Sequence, residues 1–107
     1  MFICMILIVT ILIGCAHSVN QLSFVATVLE NDETYLLVKP EEGSDELRSA
    51  DRITVSIRDT VLLNSQDIEI AADDIAIGKQ VEIAYDGTIA ESYPAQINQC
   101  SRVRLLD

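Results

Sequence analysis

The segment Arg52-Ile53-Thr54-Val55-Ser56-Ile57-Arg58 alternates without a break, with Ile53, Val55 and Ile57 on one side and polar residues on the other. Side chains of an extended strand point to opposite faces with period two, so this segment is a strand with one buried and one wet face. A helix would scatter the same apolar residues around its circumference. The alternation commits the chain to a sheet that buries one side only.

The same signal recurs from residue 22 onward. Ser23-Phe24-Val25-Ala26-Thr27-Val28-Leu29-Glu30 and Tyr35-Leu36-Leu37-Val38-Lys39 are rich in β-branched and aromatic residues and flank the polar turn Asn31-Asp32-Glu33-Thr34. They read as an antiparallel hairpin that stops at Pro40, which has no N–H for a ladder. Val61-Leu62-Leu63 is a shorter candidate strand. Ala71 to Ile77 is long enough for one helical turn, with Asp73 or Asp74 near its start and Gly78 as its stop. Gln80 to Tyr85 alternates again and meets the turn Asp86-Gly87. In the last segment, Ala95 to Leu106, residues Asn98 to Arg102 break the alternation and predict a bulge. Five main strands and a short helical turn predict an all-β domain, a small five-stranded OB-like barrel. An open sandwich or meander of the same strands is the alternative.

The N-terminus follows a different logic. Met1 to Ile13 holds one polar residue, Thr10, and ends in Leu12-Ile13-Gly14-Cys15, the form of a bacterial lipobox. The run is shorter than the roughly 20 residues of a membrane span and fits the apolar region of a secretory signal. No Lys or Arg precedes Lys39, whereas such signals usually begin with one. The expected organisation is an apolar signal helix at 1–14, a lipidated Cys15 with its tether over 15–22, and a β domain over 23–107. Gly14 gives a peptidase access to the bond before Cys15, and only a thiol forms the thioether to a diacylglyceryl group.

Charge narrows the partners. All 7 basic and 17 acidic side chains lie beyond Cys15, so residues 15–107 carry the whole net charge of −10. Nucleic-acid binding depends on Lys and Arg displacing counterions, so nucleic acid is not an expected partner. Anionic headgroups repel the domain too, which leaves acyl chains as the means of attachment. Of three cysteines, Cys4 lies in the signal and Cys15 is taken by lipid, so Cys100 has no internal disulfide partner. It reads as a small apolar strand residue, with intermolecular pairing as the alternative. The lone His17 falls in the tether as a solvated residue. The acidic stretch Pro40 to Asp51 offers oxygen ligands of the kind that suit Ca²⁺, but its spacing is not that of an EF-hand, and it reads as a mobile, solvated loop.

The stretch Gly87-Thr88-Ile89-Ala90-Glu91-Ser92-Tyr93-Pro94-Ala95-Gln96 resembles the G-x-I-x-ESYPAQ signature of a family of small exported Gram-positive proteins. This is the YobA-like domain of unknown function, many of whose members are lipoproteins. Val28-Leu29-Glu30, Tyr35 to Pro40 and Ile77 to Val81 also resemble that pattern. The resemblance implies a compact OB-like domain outside the cell and implies no reaction. Read from the residues alone, Pro94 pushes Tyr93 toward extended geometry and makes Glu91 to Pro94 a rigid corner. Tyr93 is expected to plug the end of the barrel. The functional alternative has Glu91, Ser92, Tyr93, Pro94 and Gln96 lining a ligand groove.

No catalytic residue, metal ligand or cofactor is expected, since no His outside the tether is available to a serine nucleophile. The sequence supports a lipid-anchored, non-catalytic binding or adaptor module on the outer face of the cell membrane. Its partner would be a cell-surface protein, a peptide or a wall component. The alternative is an accessory or inhibitor protein that augments a partner's sheet, which an unpaired edge over Val61 to Ile70 would favour.

Overall fold

The computed structural model describes residues 22–106; the apolar segment, Cys15, His17 and Asp107 lie outside the described residues. The chain is mostly β. It forms strands β1 (Leu22–Asn31), β2 (Tyr35–Pro40), β3 (Ile53–Ser56), β4 (Val61–Leu63), β5 (Gln80–Tyr85), β6 (Ala95–Ile97) and β7 (Cys100–Leu105). A short helix, α1 (Asp45–Ser49), follows β2, and a 3-10 turn at Ala72–Asp74 precedes β5. Among the described residues no helix is long and apolar enough to cross a membrane.

The seven strands form one mixed sheet in the order β4-β7-β5-β1-β2-β3-β6. The expected five-strand count is therefore corrected to seven, and the sheet is open rather than closed by a continuous ladder. The reason lies mostly in the last segment. Ala95 to Leu105 does not run as one strand but breaks at Asn98-Gln99, and its halves take different partners. β6 runs parallel to β3, while β7 pairs antiparallel with β5 and parallel with β4. A register shift between Ala84 and Tyr85 leaves Ser101 as an extra residue opposite β5, inside the stretch where the sequence loses its alternation.

β1 is long enough to serve two neighbours with different halves. Residues 22–27 pair with β5, and residues 26–31 pair with β2, with a bulge at Leu29. Sharing a strand in this way requires it to coil, and the sheet curls around its apolar face. Phe24, Val28, Leu36, Ile53, Val55, Ile57, Val81, Ile83, Ile97 and Val103 are all buried on that face. Every one sits at an alternating position of its strand or of its immediate continuation. The loop before β5 is pinned at Gly78, whose φ of +92° strains any residue with a Cβ and whose N–H donates to Val28 O at 2.8 Å.

Candidate functional site

The 91–96 segment closes into a corner. Ala90 and Gln96 exchange backbone hydrogen bonds of 2.7 and 3.1 Å and close the residues between them into a loop. Ser92 Oγ donates to Pro94 O at 2.7 Å within that loop, and the Tyr93–Pro94 peptide is cis. Glu91 and Ser92 are exposed. Tyr93 does not plug the interior: it is 71% exposed, with its hydroxyl 3.4 Å from Asp51 Oδ1. The plug is Tyr85, which is 2% exposed and stands edge-on to Phe24 with ring centroids 5.5 Å apart.

Of the corner residues, Pro94 lines a groove on the outward face of the sheet, and Gln96 stands in the strand row beside it. Glu30, Leu37, Thr54 and Gln96 are successive cross-strand partners over β1, β2, β3 and β6, and they form one row on the outward face. Along this row lies a groove of about 520 Å³, lined by Glu30, Asn31, Asp32, Tyr35, Leu37, Thr54, Ile77 and Pro94. Leu37 and Thr54 lie at outward register positions. Ile77 and Pro94 come from loops at opposite sides of the row. Ile77 is 67% exposed, a large apolar side chain left in water although Ile75, two residues earlier, is buried. The lining includes two carboxylates and neither Lys nor Arg.

The groove's rim is built by side chains that fold the β1–β2 turn. Asp32 Oδ1 accepts from the amides of Thr34 and Tyr35 at 2.9 and 2.7 Å. These amides hold the Asp32 carboxyl below the usual carboxylate range, so it stays ionised and occupied. Asn31 Nδ2 donates to Ala72 O at 2.9 Å and Ile75 O at 2.8 Å, fastening the 3-10 turn and the loop that carries Ile77. Periodicity points to the strands beneath this groove but not to the groove, because Ile77 and Pro94 lie outside the alternating segments.

In the acidic stretch Glu41, Glu42, Asp45 and Asp51 are exposed, as expected of a solvated run, but residues 45–49 form a helix where a loop was expected. Ser44 caps α1 by accepting from Leu47 N at 3.2 Å, Asp45 lies 3.8 Å from Arg48, and Glu46 is buried. Its Oε2 accepts the Tyr85 hydroxyl at 2.7 Å. Burial, then the Glu46 hydrogen bond, pushes the Tyr85 phenol far above its ordinary range. Ser44 followed by two acidic residues is the signal that marks such a helix start. Among the described residues no group of His, Cys, Asp or Glu converges as a metal site. Cys100 is buried, and burial raises its thiol pKa, in keeping with an inert strand residue.

The sheet edges are occupied. Across β4, Ile70 N donates to Leu62 O and Asn64 N to Ile68 O, both at 2.9 Å, with Leu63 bridged to Glu69. The Val61 to Ile70 stretch thus folds back on itself, and its 68–70 segment, exposed at Ile68 and Glu69, covers β4. β6 carries the Ala90 bridge on the side away from β3.

No curated protein and no solved structure matches this chain. A family model described as a protein of unknown function (DUF3221) matches residues 26–107, which takes in every strand from the middle of β1 onward. The chain belongs to the DUF3221 family.

Proposed function

We propose that this chain is a lipid-anchored, non-catalytic binding module on the outer face of the cell membrane, and that its contact surface is the β2–β3 groove. The groove is the observation that carries the reading. A soluble domain gains nothing from leaving Ile77 in water beside Tyr35 and Leu37, whereas a partner that covers them recovers their burial. Asp32, tied to two backbone amides, is a turn cap rather than a general acid.

Cys15 supplies the anchor in this reading, in keeping with the resemblance to YobA-like lipoproteins. Six residues separate it from β1, and at roughly 3.5 Å each they reach ~25 Å at most. The tether joins β1 at Leu22, whereas the groove starts at Glu30, on the order of 25–30 Å along the strand. The anchor therefore holds one end of β1 near the membrane and the other end carries the binding face outward.

We read the sheet as an OB-like barrel. β6 and β7 lie toward opposite ends of the strand order yet are joined by only Asn98 and Gln99. So short a link between strands from the two sides of the order supports a sheet that curls toward closure, with β1, β2, β3, β6/β7 and β5 as the barrel's five-part path. On OB folds the face of strands 2 and 3 is a common ligand surface, a fold-level analogy that agrees with where this groove lies. Sheet augmentation has less support, because both edges already hold hydrogen-bonded segments.

Two measurements test this reading. Metabolic labelling with a palmitate analogue should mark the wild-type protein and not a Cys15→Ala variant, and an unlabelled wild type would overturn the anchor. A photoreactive amino acid at position 77 should capture a defined surface partner that the same group at position 68 does not. Equal capture from both positions would overturn the groove as the contact surface.

A further inference from the structure

We infer that the occupant of the groove is a cationic peptide segment of a partner protein, extended and bearing aliphatic side chains. The inference rests on the binding-module reading and gives its ligand a chemistry. The floor, Tyr35, Leu37 and the exposed Ile77, asks for apolar side chains. The rim, Glu30 and Asp32, asks for positive charge, and no basic side chain lines the groove to oppose it. Asp32 is held ionised by its two backbone amides, so its charge persists at neutral pH.

Charge also sorts the other occupants. A second copy brings its own net charge of −10, and its groove presents the same two carboxylates. Anionic headgroups, phosphate-bearing polymers and nucleic acids meet the same repulsion. A basic peptide meets attraction on approach and an apolar floor on arrival. The groove's volume of about 520 Å³ falls within the range of sites that hold small ligands, roughly 300–1,000 Å³. That is room for a few side chains, so the recognised unit is a short segment rather than a folded face.

The test uses the full lipidated chain in neutral detergent micelles, with a fluorescent peptide of alternating Lys and Leu as the probe. A peptide of alternating Glu and Leu controls for apolar content. Fluorescence anisotropy should show saturable binding of the Lys/Leu peptide only, weakening as salt rises. Ile77→Ser removes an exposed side chain and leaves the core intact. It should weaken binding about tenfold, the scale set by losing one buried aliphatic side chain. Ile68→Ser, at another exposed apolar site, should stay within about twofold. Equal loss from both variants would mean diffuse apolar association, and no loss from either would mean diffuse charge attraction; both overturn the inference, as would preference for the Glu/Leu peptide or no binding of either. Photocapture specific to position 77 alongside a failed Lys/Leu titration would leave the binding module standing and overturn only the cationic occupant.

Discussion

Tyr85 Oη donates a 2.7 Å hydrogen bond to Glu46 Oε2 across 39 positions of sequence, and both residues are buried. The pair ties α1 to the inner face of β5 and gives a buried carboxylate a partner. Replacing Tyr85 with Phe keeps the ring against Phe24 and deletes only the hydroxyl. The carboxylate, 7% exposed, then loses its donor with little water to replace it, a loss on the order of 1–3 kcal/mol. Thermal melts of Tyr85→Phe should show the drop, and Glu46→Gln, which keeps an acceptor, should lose less. Equal melting of wild type and Tyr85→Phe would show the bond to be energetically silent.

The same pair gives a signature in alkali. Folding raises the Tyr85 phenol pKa above its ordinary 10.0, so the folded state holds a proton that the unfolded state releases. Stability from this group is complete below pH 10.0 and falls as pH rises toward the folded value. Melting temperature should decline above that pH more steeply in the wild type than in Tyr85→Phe. Parallel profiles would place the phenol in contact with water.

Cys100 should react slowly. Burial raises its thiol pKa and so lowers its thiolate fraction at neutral pH, and its Sγ lies 3.6 Å from Arg102 O. Site-resolved mass spectrometry after iodoacetamide treatment should find Cys100 protected until denaturant unfolds the domain. Modification in native buffer at the rate of a free peptide thiol would contradict the buried position.

At the β1–β2 turn the pH effect has the opposite sign. The amides of Tyr35 and Thr34 lower the Asp32 pKa below 3.8, so its contribution is present above that pH and is lost as pH falls through the folded value. An Asp32→Asn variant keeps an oxygen acceptor without the charge. Its stability profile below pH 3.8 should be flatter than that of the wild type, and a carboxyl NMR titration should place the Asp32 midpoint below 3.8. A midpoint above that value would contradict the turn geometry.

These contrasts show what could be read in advance. The alternation of Ile53, Val55 and Ile57 is a local property of the chain, and all three are buried in the structure. The break near Asn98 was legible as lost alternation, but the divergence of β6 toward β3 and β7 toward β5 depends on partners far away in sequence. Glu46 sits in an acidic run whose composition argues for solvent, and one phenol from β5 decides otherwise. Tyr85 ends β5 and Tyr93 lies in the loop just before β6, and packing distinguishes the plug from the exposed ring. The groove was the least legible part, because its walls come from two loops that the sheet's curl brings to one row.

Two asparagines allow the same substitution to be tested for opposite outcomes. Asn31 uses its Nδ2 as a donor to Ala72 O and Ile75 O, so Asn31→Asp places a carboxylate against two carbonyls. Asn64 uses its Oδ1 as an acceptor from the amides of Gln66 and Ile68, at 2.8 and 3.0 Å, and an aspartate accepts both equally well. Asn31→Asp should therefore cost on the order of 1–3 kcal/mol, while Asn64→Asp should stay within about 0.5 kcal/mol. The loss at Asn31 should also be local. Its two bonds hold the loop from Ala72 to Gly78, so the amides of Ile75 and Gly78, which donate to Ala72 O and Val28 O, should exchange faster with deuterium than those of β3. Binding at the groove should weaken with them, because Ile77 rides on that loop. Uniform exchange across the domain, or equal costs at the two asparagines, would show that Asn31 does not brace the groove wall.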